Sequence, residues 1–326
     1  MRHLLRRLIF YLVALWLSIT LNFFLPRWAP GNPVQALIGR LHVKPTPQTL
    51  HSLEILLGVN NHDSLWTQYL QYLSSLAHGN LGVSITYFKP VSALIAQDLP
   101  WTLTLVGVTL IISFVFGTFL GIIVAWYRGS KLDTIFPPIF TFLSAIPYFW
   151  LALIIFYVFG FVLKWFPSDL QGYDIYETIP GWNMPFIESA ITHAILPAFT
   201  IIIGSIAGWL LGMRNMMITT LSEDYVLMAE AKGMPQRRIM FTYAARNAIL
   251  PNITSFALSL GFVVSGALLT ELVFNYPGIG YRFLEAVNDK DYPLIQGLFL
   301  IIALAVLAAN FLSDLLYVVL DPRIRR

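Results

Sequence analysis

The sequence predicts an all-α integral membrane protein with six transmembrane helices. Three observations carry this. Hydrophobic residues make up 57% of the 326 and charged residues only 11%, against about 25% charged in a soluble domain. Mean hydropathy is +0.70. Six runs contain no Asp, Glu, Lys or Arg and are long enough to cross a hydrocarbon core of about 30 Å, which takes about 20 residues. The basic residues gather at alternate ends of those runs, the pattern of cytoplasmic flanks. Cys is absent, which removes disulfides and thiolate chemistry. The net charge of +3 reflects these flanking bases rather than a nucleic-acid surface.

The first run, Leu8 to Leu25, follows Arg2, His3, Arg6 and Arg7. A secretory signal peptide is the alternative, but the run is long for one and no small-x-small cleavage site follows it. A retained first span with its N-terminus inside is expected. Residues 30–98 hold no spanning run, and Pro30, Pro33, Pro45 and Pro47 break their first part. Leu65 to Leu76 places Trp66, Tyr69, Leu70 and Leu73 at helical spacing. Such a helix fits the membrane surface or the outer ends of the spans.

Five more runs follow: Leu99 to Tyr127, Thr134 to Leu163, Ser189 to Met213, Asn247 to Thr270 and Tyr292 to Ser313. Pro137, Pro138 and Pro147 are expected to shorten or kink the second of these. Arg128 and Lys131 fall inside. The 164–193 loop, with Asp169, Asp174, Glu177 and Glu188 against the single base Lys164, falls outside. Arg214, Lys232, Arg237, Arg238 and Arg246 place the segment between the fourth and fifth spans inside, and Arg323, Arg325 and Arg326 do the same for the C-terminus. The 275–291 loop is outside by this count.

That inside segment, Thr219 to Pro251, is the longest polar interruption in the second half of the chain. Thr220-Leu221-Ser222-Glu223 has the form of a capping box, predicting a helix from Leu221 to Lys232. Gly233 suits a left-handed C-cap, and Pro235 stops that helix and opens a second at Gln236, Arg237 and Arg238. A helix, a sharp turn and a helix between two membrane-length segments fit either a solvated connector or a rigid docking element.

Asp224-Tyr225, Ala229-Glu230-Ala231-Lys232-Gly233-Met234, Arg237-Arg238-Ile239 and Arg246-Asn247-Ala248 resemble the cytoplasmic loop of permease subunits in bacterial ABC importers. The likeness is strongest to the first permease of dipeptide and oligopeptide systems. The general importer signature opens Glu-Ala-Ala where this chain has Leu227, Met228 and Ala229, and Ala245-Arg246 stand where a Leu-Pro usually follows. These departures narrow the subfamily. Thr270-Glu271-Leu272-Val273-Phe274, Tyr276-Pro277-Gly278-Ile279-Gly280, Asp291-Tyr292-Pro293 and Asp314-Leu315-Leu316-Tyr317 extend the resemblance along the chain, as does Leu320-Asp321-Pro322-Arg323.

The resemblance implies a type I ABC importer permease fold in the bacterial cell membrane. Residues 1–97 would hold the first span and an extracytoplasmic region, 98–317 a five-span core, and 318–326 a cytoplasmic tail. It implies a second homologous permease subunit, two cytoplasmic ABC ATPase subunits and an extracytoplasmic solute-binding protein as partners, besides membrane lipid, with no cofactor. Asp224, Tyr225, Ala229, Glu230, Ala231, Lys232 and Gly233 would form the ATPase-coupling loop. The cargo would be a peptide, an oligosaccharide or a related solute.

The residues themselves point the same way. No Gly-x-x-x-x-Gly-Lys-Ser/Thr loop, His-Glu-x-x-His pair or nucleophile elbow occurs, so an enzyme reading has no site and no metal is expected. His193 reads as a hydrogen-bonded residue at the outer end of a span. The middles of all six runs lack the ionisable residues that ion-coupled carriers use, so energy is expected from a partner. Ser265, Glu271 and Asn310 are the polar candidates for a translocation path, and each also fits an interhelical or interfacial role. A stand-alone channel or carrier is the competing class.

Overall fold

The computed structural model describes residues 2–28, 64–265 and 267–320. The expectations that rest on Ala29–Pro33, Pro45, Pro47 and the Arg323–Arg326 tail lie outside them. Among the described residues the chain is helical, with an isolated antiparallel bridge between Val83 and Pro90 and no strand.

Two long helices form the centre: α3 (Val91–Trp126, 36 residues) and α6 (Met184–Leu221, 38 residues), which pack together more extensively than any other pair of elements among the described residues. The membrane-length part of each is apolar all round, as expected for helices buried in lipid and protein together. Two glycines let them approach. A Cβ on Gly117 would stand 2.6 Å from the Trp209 Cβ, and one on Gly121 only 2.5 Å from the Leu210 carbonyl oxygen. Small residues four apart leave one helix face flat, which lets backbones meet where lipid gives no hydrophobic drive to associate. A polar seam adds to this packing. Ser205 donates to the Ser113 hydroxyl at 2.8 Å, and the buried Asn252 amide donates to the Trp209 carbonyl at 3.1 Å and to Thr118 at 3.3 Å. Such bonds contribute roughly 0.6 kcal/mol each in a membrane bundle.

Around this pair stand α1 (Arg2–Trp28), α2 (Leu65–Ala77), α4 (Lys131–Ala145) and α5 (Tyr148–Ile155), the last continuing as a π-helical stretch, Phe156–Val162. After α6 come α7 (Asp224–Ala231), α8 (Gln236–Arg238), a second π-helical stretch Ile239–Ala245, α9 (Arg246–Ala248) and α10 (Leu250–Phe262). The chain then makes a 3-10 turn, Val263–Ser265, followed by α11 (Leu268–Val273), α12 (Ile279–Asp289) and α13 (Tyr292–Leu320).

Several expectations need correction. By length and hydropathy, α3, α6 and the Tyr292–Leu312 part of α13 can each cross a membrane, and α1 contributes a shorter apolar helix, Ile9–Phe24. The run 134–163 is kinked, as its prolines suggest, but only at Pro147: α4 and α5 meet there at 99°, while Pro137 and Pro138 stay inside α4. Pro147 lacks the N–H that would continue α4, and it turns Ile146 extended. The run 247–270 is also divided, between α10 and α11. The expected loop 275–291 is largely helix α12, which ends on Lys290 in the left-handed region. The main helix expected to begin near Leu99 starts at Val91, so the boundary expected at 97/98 falls within α3.

The capping box does not form. Thr220 stays inside α6, buried, with its hydroxyl donating to the Met216 carbonyl at 2.8 Å. Burial in the bundle and that bond one turn back compete successfully with capping. Helix α7 instead starts at Asp224, with Glu223 as an N-cap that makes no side-chain bond.

Helix α2 rests on the end of α1. Thr20 and Tyr69 share a 2.7 Å hydrogen bond and Phe23 packs against both Tyr69 and Tyr72, while Trp66 and Leu70 face outward. Asn22 and Gln296 exchange side-chain-to-backbone bonds and tie α1 to α13. At the other end of the bundle, Arg214 of α6 pairs with Asp133 of α4 at 2.6 Å.

Candidate functional site

The α7 turn is built as its residues require. Met234 N–H reaches the Ala229 carbonyl at 3.3 Å and Gly233 N–H the Glu230 carbonyl at 2.8 Å. This pair of bonds is a Schellman motif, and it needs a left-handed residue at Gly233, whose φ is +68°. The motif's usual apolar contact is present as well: Met234 folds back on a small core of Val226, Ala229 and Ile239, joined by Trp126, Leu221 and Tyr243. The chain reverses at Pro235 and re-enters the bundle through α8 and the π-helical stretch. There Ile239, Met240, Ala244 and Ala245 are all buried. That five-residue recurrence suits the wide turn better than the 3.6-residue one.

With Val226 and Ala229 turned inward, the rest of α7 faces out. Asp224, Tyr225, Glu230, Ala231, Lys232 and Gly233 are exposed, so six of the seven expected coupling residues lie on the surface and Ala229 is the packing residue that seats them. Two residues outside the expected set share that surface: Leu227, 50% exposed, and Met228, 59% exposed. Their signal was a pair of large apolar side chains on a short helix where a solvated connector would carry polar ones. Tyr225 is held by Asn247, whose amide donates to its hydroxyl at 2.9 Å. The result is a short, braced helix presenting a mixed apolar and charged surface beside the exposed Arg237 and Arg238.

The path candidates separate. Glu271 is fully enclosed. Its carboxylate accepts from the Thr102 hydroxyl at 3.1 Å and from the Tyr281 N–H at 3.0 Å, and Gly278 and Gly280 pass directly against it. It thereby caps the N-terminus of α12, where a negative group is favoured. The glycines are there because any Cβ would strike it or the Leu268 backbone. Asn310 is half-buried along α13, and Ser265 closes the 3-10 turn after α10.

The same end of the molecule is held by a charged knot. Asp98 of α3, 1% exposed, pairs with Arg282 of α12 at 2.6 Å, and Arg282 lies over the Tyr87 ring at 4.5 Å. Tyr87 donates to Glu285 at 2.6 Å. Burial, with Glu285 accepting that bond, pushes the Tyr87 phenol up to about 12. Burial opposes the Arg282 charge, but the bonds and charge of Asp98 outweigh it and hold its pKa above the ordinary guanidinium value. Asp291, also enclosed, caps α13 through the Leu294 N–H and takes the Ser84 hydroxyl at 2.5 Å and the Thr86 N–H at 2.9 Å. His193 bonds the Ser189 carbonyl at 2.7 Å and Asp169 at 3.1 Å.

Removing one partner of a buried pair costs about 3–5 kcal/mol, because the other charge is left uncompensated. Asp98→Asn is therefore expected to lower the unfolding midpoint of the detergent-solubilised protein clearly. Combining it with Arg282→Gln should recover part of the loss, and additive losses would show that the two side chains do not act as a pair.

No cluster of three or more His, Asp or Glu side chains able to hold a metal lies among the described residues. What the geometry offers is a bundle of membrane-length helices, a braced turn at its basic end and a carboxylate-stapled assembly at the other. Residues 117–326 match the family described as the binding-protein-dependent transport system inner membrane component. The chain is 34% identical to the di/tripeptide transport system permease protein DppB of Pseudomonas aeruginosa, over 96% of each chain. It is 34% identical to the oligopeptide transport system permease protein AppB of Bacillus subtilis, again over 96% of each. It is 31% identical to the dipeptide transport system permease protein DppB of Escherichia coli, over 95% of each. The helices long enough to span a membrane, the family match over most of the chain and the end-to-end likeness to these permeases together place this chain in the binding-protein-dependent transport system inner membrane component family, as a permease subunit.

Proposed function

We propose that this chain forms half of the translocation path of an ATP-driven importer for peptides. The observation that carries the reading is the end-to-end likeness to peptide permeases. A second homologous permease would complete the path, two ABC ATPases would dock at the basic end, and a solute-binding protein would deliver cargo at the acidic end. Six membrane crossings, with both termini and α7 in the cytoplasm, agree with the placement of Arg128, Arg214 and Lys232. The five-crossing core, expected from about residue 98 to 317, would take in the whole of α3 from Val91.

Asp224, Tyr225, Glu230, Ala231, Lys232 and Gly233 would contact or shape the ATPase groove, with Ala229 seating the helix. Leu227 and Met228 join them in this proposal. ATPase closure would carry α7 with it as a rigid body. Because α7 packs on Ile239 and Trp126, the motion would pass to the π-helical stretch and the end of α3. Glu271 would serve by holding α12 in place rather than by contacting cargo.

Two measurements test this. Single cysteines placed in this Cys-free chain at Ser222 and at Glu177 or Asn288 should label from opposite sides of intact cells; labelling of Ser222→Cys from outside overturns the topology. Peptide uptake by the reconstituted complex should cease when the partner ATPase is inactivated. Uptake by this chain alone without ATP would instead support a stand-alone carrier.

A further inference from the structure

We propose that the break between α4 and α5, Ser144 to Pro147, lines the water-filled path at mid-membrane depth and faces the opposing permease subunit rather than lipid. This rests on the reading of the chain as one half of a permease.

The depth follows from α6. The Tyr148 ring lies against Gly204, where a Cβ would collide with it. Ten residues of uninterrupted helix separate Gly204 from Arg214, about 15 Å at 1.5 Å per residue. Arg214, paired with Asp133 at the start of α4, marks the basic edge of the apolar layer. Fifteen ångströms is about half of a core of roughly 30 Å, so the break sits near the midplane.

At that depth the backbone is irregular. Helix α4 stops at Ala145, Ile146 and Pro147 are extended (ψ 126° and 136°), and the chain leaves at 99°. The last four carbonyls of a helix have no partner within it. Here Pro147 supplies no N–H, and the Ile146 N–H serves the Leu143 carbonyl at 3.3 Å. Hydrocarbon offers no donor, so non-helical backbone at this depth persists only inside protein or beside water. Ser144, Ala145 and Pro147 are nevertheless exposed on this chain.

The neighbourhood points to the path as the occupant. Thr141 and Ser144 lie on the exposed face, their hydroxyls donating to the Pro137 and Thr141 carbonyls, beside exposed Ile139, Phe142 and Trp150. The outer face of α1, by contrast, is a regular helix presenting Ile9, Phe10, Leu12, Val13, Trp16, Leu17 and Leu21, as a lipid surface requires. A second interruption lies close by. Ala267, between α10 and α11, packs against the same apolar cluster as Ile146. Two broken helices therefore share one apolar core, as in transporters whose interrupted helices expose carbonyl acceptors to their cargo. A solute carrying amide N–H groups could exchange water for those carbonyls as it passes.

The test uses the complex in proteoliposomes during ATP turnover, so that outward- and inward-facing states are both sampled. Ser144→Cys and Ala145→Cys are compared with Val13→Cys on the α1 face, using a charged, membrane-impermeant methanethiosulfonate. The two break positions should react at least tenfold faster than Val13→Cys, and a saturating peptide should slow them. Reaction only with a lipid-soluble maleimide, at the rate of Val13→Cys, overturns the proposal. If the wild-type complex imports peptide while both break positions stay unlabelled, this inference alone fails. If the wild-type complex shows no ATP-driven uptake, the permease reading beneath it fails.

Discussion

Gly121→Leu is expected to prevent stable accumulation of the protein. The added side chain would start 2.5 Å from the Leu210 carbonyl oxygen and 2.8 Å from the Met213 Cβ, and neither is the movable end of a flexible side chain. Helices α3 and α6 would have to separate along the most extensive helix–helix contact among the described residues. Overpacking costs typically about 1–3 kcal/mol when neighbours can adjust. Contact with backbone puts this site at or above the top of that range, against a total stability of about 5–15 kcal/mol for an ordinary domain. Separation would also break the Ser113–Ser205 bond and draw Thr118 of α3 away from Asn252 of α10. Gly208→Ala is the control. It lies on the same helix pair, but a Cβ there meets nothing within 4 Å, so it should be neutral or slightly stabilising. Size-exclusion profiles and unfolding midpoints in detergent read both. A wild-type midpoint for Gly121→Leu would mean that the two helices do not pack as described.

Gly233→Val should act differently, sparing insertion and assembly of the spans while uncoupling transport. The Gly233 φ of +68° is reached without neighbours in the way, since a Cβ would meet nothing within 4 Å. The penalty is therefore one of backbone conformation, about 1–2 kcal/mol for a residue with a Cβ and greater for a β-branched one. Relaxing φ would break the Met234–Ala229 bond and release Met234 from Val226 and Ile239. Helix α7 would lose its fixed direction, although the bundle beneath it would not. Expected are near-normal membrane yield, reduced co-purification of the ATPases and loss of substrate-stimulated hydrolysis. Gly233→Asn should restore much of the coupling, because Asn tolerates the left-handed region. Gln236→Ala, on an exposed position, should be mild. Full coupling in Gly233→Val would reduce the α7 turn to a solvated connector.

Much of this protein can be read from local chemistry. Charge-free runs identify the apolar segments, because burying an unpaired charge in hydrocarbon is costly at any position along a helix. The Gly233-Met234-Pro235 turn is legible because a left-handed cap and a fixed proline φ depend on neighbours in sequence alone. The amphipathic Leu65 to Leu76 helix is legible by its spacing for the same reason. The failures also have causes. Thr220-Leu221-Ser222-Glu223 has every residue of a capping box, yet burial keeps Thr220 in α6, and burial belongs to the packed molecule. Three prolines signal a kink in the 134–163 run but only Pro147 breaks the helix, and hydropathy is blind to the division of the 247–270 run. Gly117 and Gly121 stand four apart in plain view, but only the packed bundle reveals that Leu210 and Trp209 fill the space they leave. Glu271 could be placed near a span end and no further. Its role as the cap of α12 depends on Thr102, 169 positions earlier, and on the Tyr281 N–H across a turn. Sequence alone determined which segments are apolar enough for a membrane and where the chain must turn sharply, since those are costs set residue by residue. Tertiary structure alone decided which helices touch, which of the three prolines breaks the 134–163 run and which carboxylates are enclosed, since those depend on partners distant in the chain.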